Sequence, residues 1–262
     1  MGYTWSWGVI GRNLDVFLQG LVYTLFYTVV TVALGMTIGT VLALGRISFR
    51  RWLRWPASVL LEVLRGIPLL VLLIWMFYAM PLLTGVAVSA PIACILALSL
   101  YGAAYYGEIV RGGILSIDSG QVDAGRSLGM THGERMRRIV LPQAARRMVP
   151  PLMNQSIIML KNTSLASVIT VSELTYRAQA LSSTTYRALE VYTTVALFYL
   201  AVVIPSSLAV KRLEVKSKSF GSAGRPKGTL STRRAAAVLR RPSAARRGKQ
   251  EPARGGKVGE LV

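Results

Sequence analysis

The chain has 262 residues, 52% hydrophobic and 16% charged, with a mean hydropathy of +0.46. Soluble domains carry about a quarter charged residues, so this composition excludes an ordinary soluble globule and predicts a membrane protein. Lys and Arg number 31 against 11 acidic residues, a formal net charge of +20, and nearly half of those basic residues lie beyond Val210. Taken alone, a pI near 10.9 would suit nucleic acid. Beside apolar runs this long it marks basic segments flanking a membrane, and nucleic acid is not expected as a partner.

The first residues, MGYTWSWGVIGRNLDV, lack the basic region and small-residue cleavage site of a signal peptide. No charge falls from Val16 to Gly45, 30 residues where a span needs about 20, which predicts a first membrane helix at about 16–45. The next uncharged run, Gly66 to Gly107, is interrupted by Pro81, Gly85 and Pro91 and predicts two spans, about 57–81 and 88–110. Cys94 lies inside it, the single cysteine, and is expected to serve packing.

A fourth span, about 151–171, is opened by Pro150 and Pro151, as N-terminal prolines suit. It is less apolar, with Asn154, Gln155, Lys161, Asn162, Thr163 and Ser164, and is expected to face protein or water. A fifth, about 190–210, ends at Lys211 and Arg212. The expected architecture is all-α and polytopic, with a membrane domain over 1–213. Residues 214–262 hold too few large apolar residues for a core and are expected to be a disordered basic tail. The tail's GRPKG, Gly224 to Gly228, looks slightly like a minor-groove hook, but a tail resting on anionic lipid headgroups is the preferred reading.

Orientation follows from the positive-inside bias. Arg46, Arg50, Arg51 and Arg54 follow the first span, six arginines lie between Arg126 and Arg147, and the tail is basic, whereas the Pro81–Pro91 loop carries no charge. The N-terminus is therefore expected outside and the tail in the cytoplasm, with Trp52 and Trp55 at the inner interface.

The cytoplasmic stretch 116–148 has its own pattern. Asp123 to Leu128 predicts a short helix stopped at Gly129, which enters the left-handed conformation freely. Thr131 and Glu134 have capping-box spacing for a second helix, in which Met136, Ile139 and Val140 form an apolar ridge opposite Arg135, Arg137 and Arg138. Pro142 is expected to close the unit. Such a ridge fits a groove on a partner; an interfacial helix pair lying on lipid is the alternative.

This stretch resembles the cytoplasmic motif of ABC importer permeases: Glu-Ala-Ala, three residues, Gly, nine residues, Ile, one residue, Leu-Pro. Asp123, Ala124 and Gly125 are followed at matching spacing by Gly129, Ile139, Leu141 and Pro142. Gly125, in place of Ala, is expected to loosen the first helix by up to about 1 kcal/mol. The segments LRGIPLLVLLIWMFYAMP, AAYYGEIVRGGILSI, SLGMTHGERMRRIVLPQAARRMVPPL and LKNTSLASVITVSELTYRA resemble the polar amino acid branch, most of all permeases of the glutamate/aspartate type. The resemblance covers about 10–213 and leaves the tail aside. It implies a type I ABC importer permease fold. It also implies pairing with a second, similar or identical permease and two copies of an ATPase subunit docked on 123–142, with substrate delivered by an extracytoplasmic solute-binding protein. ATP and Mg would belong to the ATPase, and no phosphate loop of the form GxxxxGK[ST] occurs in this chain. This chain is expected to be no enzyme and to bind no cofactor itself.

Among single residues, Lys161 lies ten residues after Pro151, about 15 Å along a helix and near mid-bilayer. An ammonium there must face a cavity or a counter-charge, so it is either the counter-charge of an acidic substrate or a structural lysine bonding carbonyls. Asn154, Gln155, Asn162, Thr163 and Ser164 are expected to line the same pathway, with helix–helix hydrogen bonding as the plainer account of each. Glu62 with Arg65, and Glu108 with Arg111, are read as structural or gating pairs. His132, the single histidine, sits in the turn, so neither a metal site nor a Ser-His-Asp arrangement can be built. The competing function is a membrane-anchored interaction protein acting through its basic tail.

Overall fold

The structure is a computed structural model and describes residues 3–222. Its regular secondary structure among those residues is entirely helical. A short α1 (Gly8–Arg12) leads into α2 (Leu14–Ile47), followed by α3 (Arg51–Gly66), α4 (Leu69–Ile74), a π turn (Trp75–Ala79) and α5 (Met80–Thr84). Next come α6 (Ala90–Leu115), α7 (Ser119–Ser127), α8 (His132–Arg135), a second π turn (Met136–Val140) and α9 (Leu141–Asn162). A 3₁₀ stretch (Thr163–Ile169), α10 (Leu174–Thr185) and α11 (Ala188–Ser222) complete the order. Leu14–Ile47, Ala90–Leu115 and Ala188–Leu213 are long and apolar enough to cross a membrane singly, and two bent helix pairs bring the number to five among the described residues.

The centre is the contact between α2 and α6. A Cβ on Gly39 would lie 2.6 Å from the Ala103 carbonyl oxygen and 2.8 Å from the Gly107 amide nitrogen, and one on Gly107 would lie 2.9 Å from the Gly39 carbonyl oxygen. The backbones themselves touch, which lipid-embedded helices use because burial from water cannot drive their association. On the same stripe Thr24, Thr28 and Thr31 are buried and return their hydroxyl protons to the carbonyls of Gly20, Thr24 and Tyr27 at 3.0, 2.7 and 2.8 Å. Around this contact Leu72, Leu73, Cys94, Leu98, Tyr106, Met159 and Ile169 form the largest apolar cluster.

The segment expected as a span at about 57–81 is a bent helix pair, Arg51–Gly66 and Leu69–Thr84. Helix α3 meets the α4–α5 segment at 103°, because Ile67, preceding Pro68, is held extended at φ −92°, ψ 126° by the steric demand of the proline ring. Two other prolines are carried in a different way. Pro81 and Pro142 each stand two residues beyond a π turn, in which Met80 donates to the Trp75 carbonyl and Leu141 to the Met136 carbonyl. The widened turn relieves the clash of each ring with the carbonyl four residues back. Pro142 therefore opens α9 instead of closing the preceding unit.

Pro150 and Pro151 do not start a helix; they lie inside α9. Tertiary contact outweighs their missing donors: Ala144 and Met159 are fully buried, and Met148 packs where a side chain on Gly113 would stand. Helix α11 also runs past the boundary expected at 213, on to Ser222. An established helix adds one bond per residue, and Glu214 to Phe220 offers neither Gly nor Pro to stop it. The rest of the expected tail lies outside the described residues.

At the other end of the bundle an N-terminal strap holds α11. The fully buried Glu190 accepts from the Ser6 amide at 2.8 Å and from the Tyr3 hydroxyl, while Arg187 donates to the Thr4 carbonyl at 2.7 Å. That carboxylate bond is the chief cause that raises the Tyr3 pKa above the usual phenol value.

Gly39→Val should drive α2 and α6 apart and lower stability by about 1–3 kcal/mol, read as a fall in melting temperature in detergent. Gly45→Ala, whose Cβ would make an ordinary 3.5 Å contact with Ala57, should leave the melting temperature unchanged or raise it slightly.

Candidate functional site

Three features built on this frame bear on function: a surface helix pair, a broken helix carrying Lys161, and an arginine–glutamate cluster.

In the helix pair, Asp118 caps α7 by accepting from the Gly120 amide at 2.7 Å. The helix ends in a Schellman arrangement, with Met130 N–H on the Gly125 carbonyl at 3.1 Å and Gly129 N–H on the Arg126 carbonyl at 3.0 Å. Gly129 has φ 75°, the left-handed value this motif requires. The capping box expected at Thr131 and Glu134 is present, with Glu134 N–H donating to Thr131 Oγ1 at 3.3 Å and Thr131 N–H to the Glu134 carboxylate at 2.9 Å. The Thr131 amide is the leading cause of a Glu134 pKa held below the ordinary carboxylate value.

The apolar ridge does not face outward. Val140 is buried with Ala43, Val110, Ile114, Ile117 and Ala144, and Met136 packs against that cluster. Ile139 lies over Gly125, where a Cβ would meet its Cδ1 at 2.8 Å. Gly125 thus lets the second helix approach the first, a packing role beyond the loosening expected from its propensity. The ridge is turned inward because the spans end in apolar residues that need a cover. What faces outward is Asp123, Ala124, Leu128, Leu141 and Pro142. Leu128 is 81% exposed, an apolar knob immediately before the glycine turn. Sequence reading passed over it because it breaks the ridge periodicity.

The second feature is the end of α9. The helix stops at Asn162, tightens into 3₁₀ geometry, turns at Thr170 with φ 61° and restarts at Leu174, a bend of 47° between the two halves. Backbone freed at such a break must be satisfied within the protein. Thr163, Ser164 and Ser167 donate to the carbonyls of Leu160, Lys161 and Ser164 at 2.7, 2.8 and 2.8 Å. Glu173, fully buried, accepts from the Thr175 and Tyr176 amides at 2.9 and 2.7 Å and from the Tyr199 hydroxyl at 3.3 Å, and the Leu174 amide donates to Thr24 at 3.1 Å. In the sequence Glu173 reads only as a loop charge; the restart of α10 makes it a cap.

Of the six residues expected to line a pathway, Asn154 and Lys161 are exposed on one face, seven residues or about two turns apart. Asn162 and Ser164 are half-exposed beside them. Gln155 and Thr163 turn into the chain's own core at 7% and 0% exposure, because the helical period carries them to the opposite side. Lys161 stands in the last turn of α9, where the helix dipole favours a cation, and among the described residues it forms no ion pair.

The third feature joins the two expected i, i+3 pairs through a residue that belongs to neither. Arg46, in the last turn of α2, reaches Glu62 at 2.8 Å and Glu108 at 3.0 Å. Arg65 lies 3.8 Å from Glu108, and Arg111 donates to it at 3.2 Å. Three helices are tied at one level by three arginines and two carboxylates. Arg46 was legible only as loop charge, since nothing local relates positions 46, 62 and 108.

A family model described as "Binding-protein-dependent transport system inner membrane component" matches residues 35–218. The chain belongs to this family. It is 36% identical over 215 residues to the glutamine transport system permease protein GlnP of Escherichia coli, covering 81% of this chain and 98% of that one. It is equally identical over 219 residues to the glutamate/aspartate import permease protein GltK of Escherichia coli, at the same coverages. Among solved structures, a crystal structure of an amino acid ABC transporter with histidines superposes with a TM-score of 0.78 at 35% identity, covering 82% of this chain and all of the other. The chain is thus an integral membrane permease subunit of an amino acid ABC importer, with the type I importer permease fold, and the ATPase of such a system is a separate subunit.

Thr131→Ala should cost the α8 start about 1 kcal/mol, seen as faster amide exchange over residues 128–135. Exchange within α2 and α6 should be unchanged.

Proposed function

We propose that this permease imports glutamate or aspartate, and that Lys161 supplies the counter-charge along its path. The observation that carries this is an unpaired ammonium, open on the same face as Asn154, at a break in a membrane helix. Transporters place substrate sites at such discontinuities, where irregular backbone and polar side chains line a cavity, and an unpaired cation at that depth has little other reason to persist. Glutamine is the second reading, favoured by a glutamine permease relative as similar as the glutamate/aspartate one. Its α-carboxylate would meet Lys161 in the same way.

In this reading the chain lies in the bacterial inner membrane, its N-terminus outside and its C-terminus in the cytoplasm, as the arginine-rich loops require. Two permeases, this one with an identical or similar partner, stand on two ATPase subunits that hold ATP and Mg. An extracytoplasmic binding protein delivers the amino acid. The ATPase takes hold of the outward face of the helix pair, Asp123, Ala124, Leu128, Leu141 and Pro142, while Gly125, Gly129 and Ile139 fix the angle between the two helices. Because the ridge behind them is packed on the ends of α2 and α6, a push on this element is delivered to the spans.

Reconstituted with its partners in proteoliposomes, the permease should show ATPase activity stimulated by loaded binding protein for glutamate or aspartate, and glutamine-only stimulation would establish the second reading. Lys161→Met should lower uptake by tenfold or more, on the order of 1.4 kcal/mol, with the ATPase still bound; unaltered uptake would make Lys161 structural. Gly129→Asp should leave the chain inserted but no longer co-purifying with the ATPase, since a left-handed φ at a non-glycine residue costs about 1–3 kcal/mol. Normal uptake by that variant would refute the docking role.

A further inference from the structure

We infer that the cleft between the ends of α2, α3 and α6 is a binding site for the phosphate headgroup of an anionic phospholipid. The cleft has a volume of about 420 Å³ and is lined by Arg46, Arg51, Arg54, Arg111, Trp55 and Ser58, with Ile47 and Leu115 at its edge. No acidic residue lines it. Glu62 and Glu108 stand behind it, and both are already engaged by Arg46, Arg65 and Arg111. Arg51 and Arg54 form no ion pair among the described residues. Four arginines thus line a concave space with no carboxylate in its wall, and the charge of Arg51 and Arg54 is left uncompensated there. The first turn of α3 has no acidic residue and no capping side chain, so the positive end of its dipole adds to the same potential.

A phosphodiester is the anion such a cleft fits, because planar guanidinium groups bind phosphate oxygens bidentately. A lipid is favoured over a free anion by what continues from the cleft. Trp55, Val59 and Val63 follow Arg51 at successive intervals of four along α3, so they share one face, and they are 73%, 41% and 52% exposed. That apolar stripe runs from the arginines toward the middle of the bundle, since Ala57 lies against Gly45 and, further along, Leu61 against Gly107. An acyl chain would lie on the stripe with its phosphate among the arginines and the Trp55 indole at headgroup level, where tryptophan is favoured. Basic pockets between membrane helices bind anionic headgroups on this principle. The site would tie the end of α2 to the start of α3 at the arginine–glutamate cluster, so its occupant would brace the contact that joins the three helices.

The test is native mass spectrometry of the full chain, extracted in a mild neutral detergent with its co-purifying subunits and titrated with phosphatidylglycerol or phosphatidylcholine. Phosphatidylglycerol should bind at one molecule per permease chain in preference to phosphatidylcholine. The double variant Arg51→Gln, Arg54→Gln should lower that occupancy about tenfold. Arg51→Lys with Arg54→Lys, which keeps the charge and guards against misfolding but loses the bidentate fork, should fall between the native chain and the Gln variant, and Lys211→Gln with Arg212→Gln should change it less than twofold. Inorganic phosphate at millimolar concentration should not displace the lipid. Equal binding of both lipids, or equal loss in the Lys211/Arg212 variant, would overturn the site, and displacement by phosphate alone would overturn its assignment to lipid.

Discussion

Helices α2 and α6 touch backbone to backbone at Gly39, Ala103 and Gly107, and every functional feature is placed from that contact. Closeness at this level brings Arg46 at the end of α2 within reach of Glu108 on α6, and it lets Leu61 of α3 rest on Gly107. A wider separation of α2 and α6 would take Arg46 out of reach of Glu108 and leave that carboxylate to Arg65 and Arg111. In a lipid environment, where apolar surface gains nothing by leaving water, small residues at the crossing are what make such an approach favourable.

The second governing constraint is that backbone polar groups within the membrane must be satisfied by the protein. The chain breaks its helices at several places and meets the requirement differently at each. At Pro81 a π turn reroutes one hydrogen bond. Between Asn162 and Leu174, hydroxyls of Thr163, Ser164 and Ser167 and the carboxylate of Glu173 take over the freed groups. The polarity of the fourth span is therefore divided between two tasks. Thr163 and Glu173 maintain the break, and Asn154 and Lys161 are left facing outward from it.

The surface helix pair shows a similar division. Its spacing is a matter of internal geometry: Gly129 sets the turn, Gly125 admits Ile139, and Val140 seats the unit on the ends of α2 and α6. Only the remaining positions, with Leu128 foremost, are open to another protein.

Much of this was legible in the residues themselves. Long uncharged runs mark the membrane helices because a charge in lipid is costly, the glycine turn and capping box follow from local backbone requirements, and the spacing from Asp123 to Pro142 carries the family. What local pattern could not decide is where a side chain points once the helices meet. The ridge of Met136, Ile139 and Val140 is equally amphipathic whether it serves a partner or covers its own spans. Pro150 and Pro151 read as a helix start until packing on Gly113 carries the helix through them. Arg46, Glu62 and Glu108 are unrelated in sequence and meet only because α2, α3 and α6 cross at one level. Periodicity and spacing report on single helices; distances between helices are set by which glycines come face to face, and that is a property of the assembled bundle.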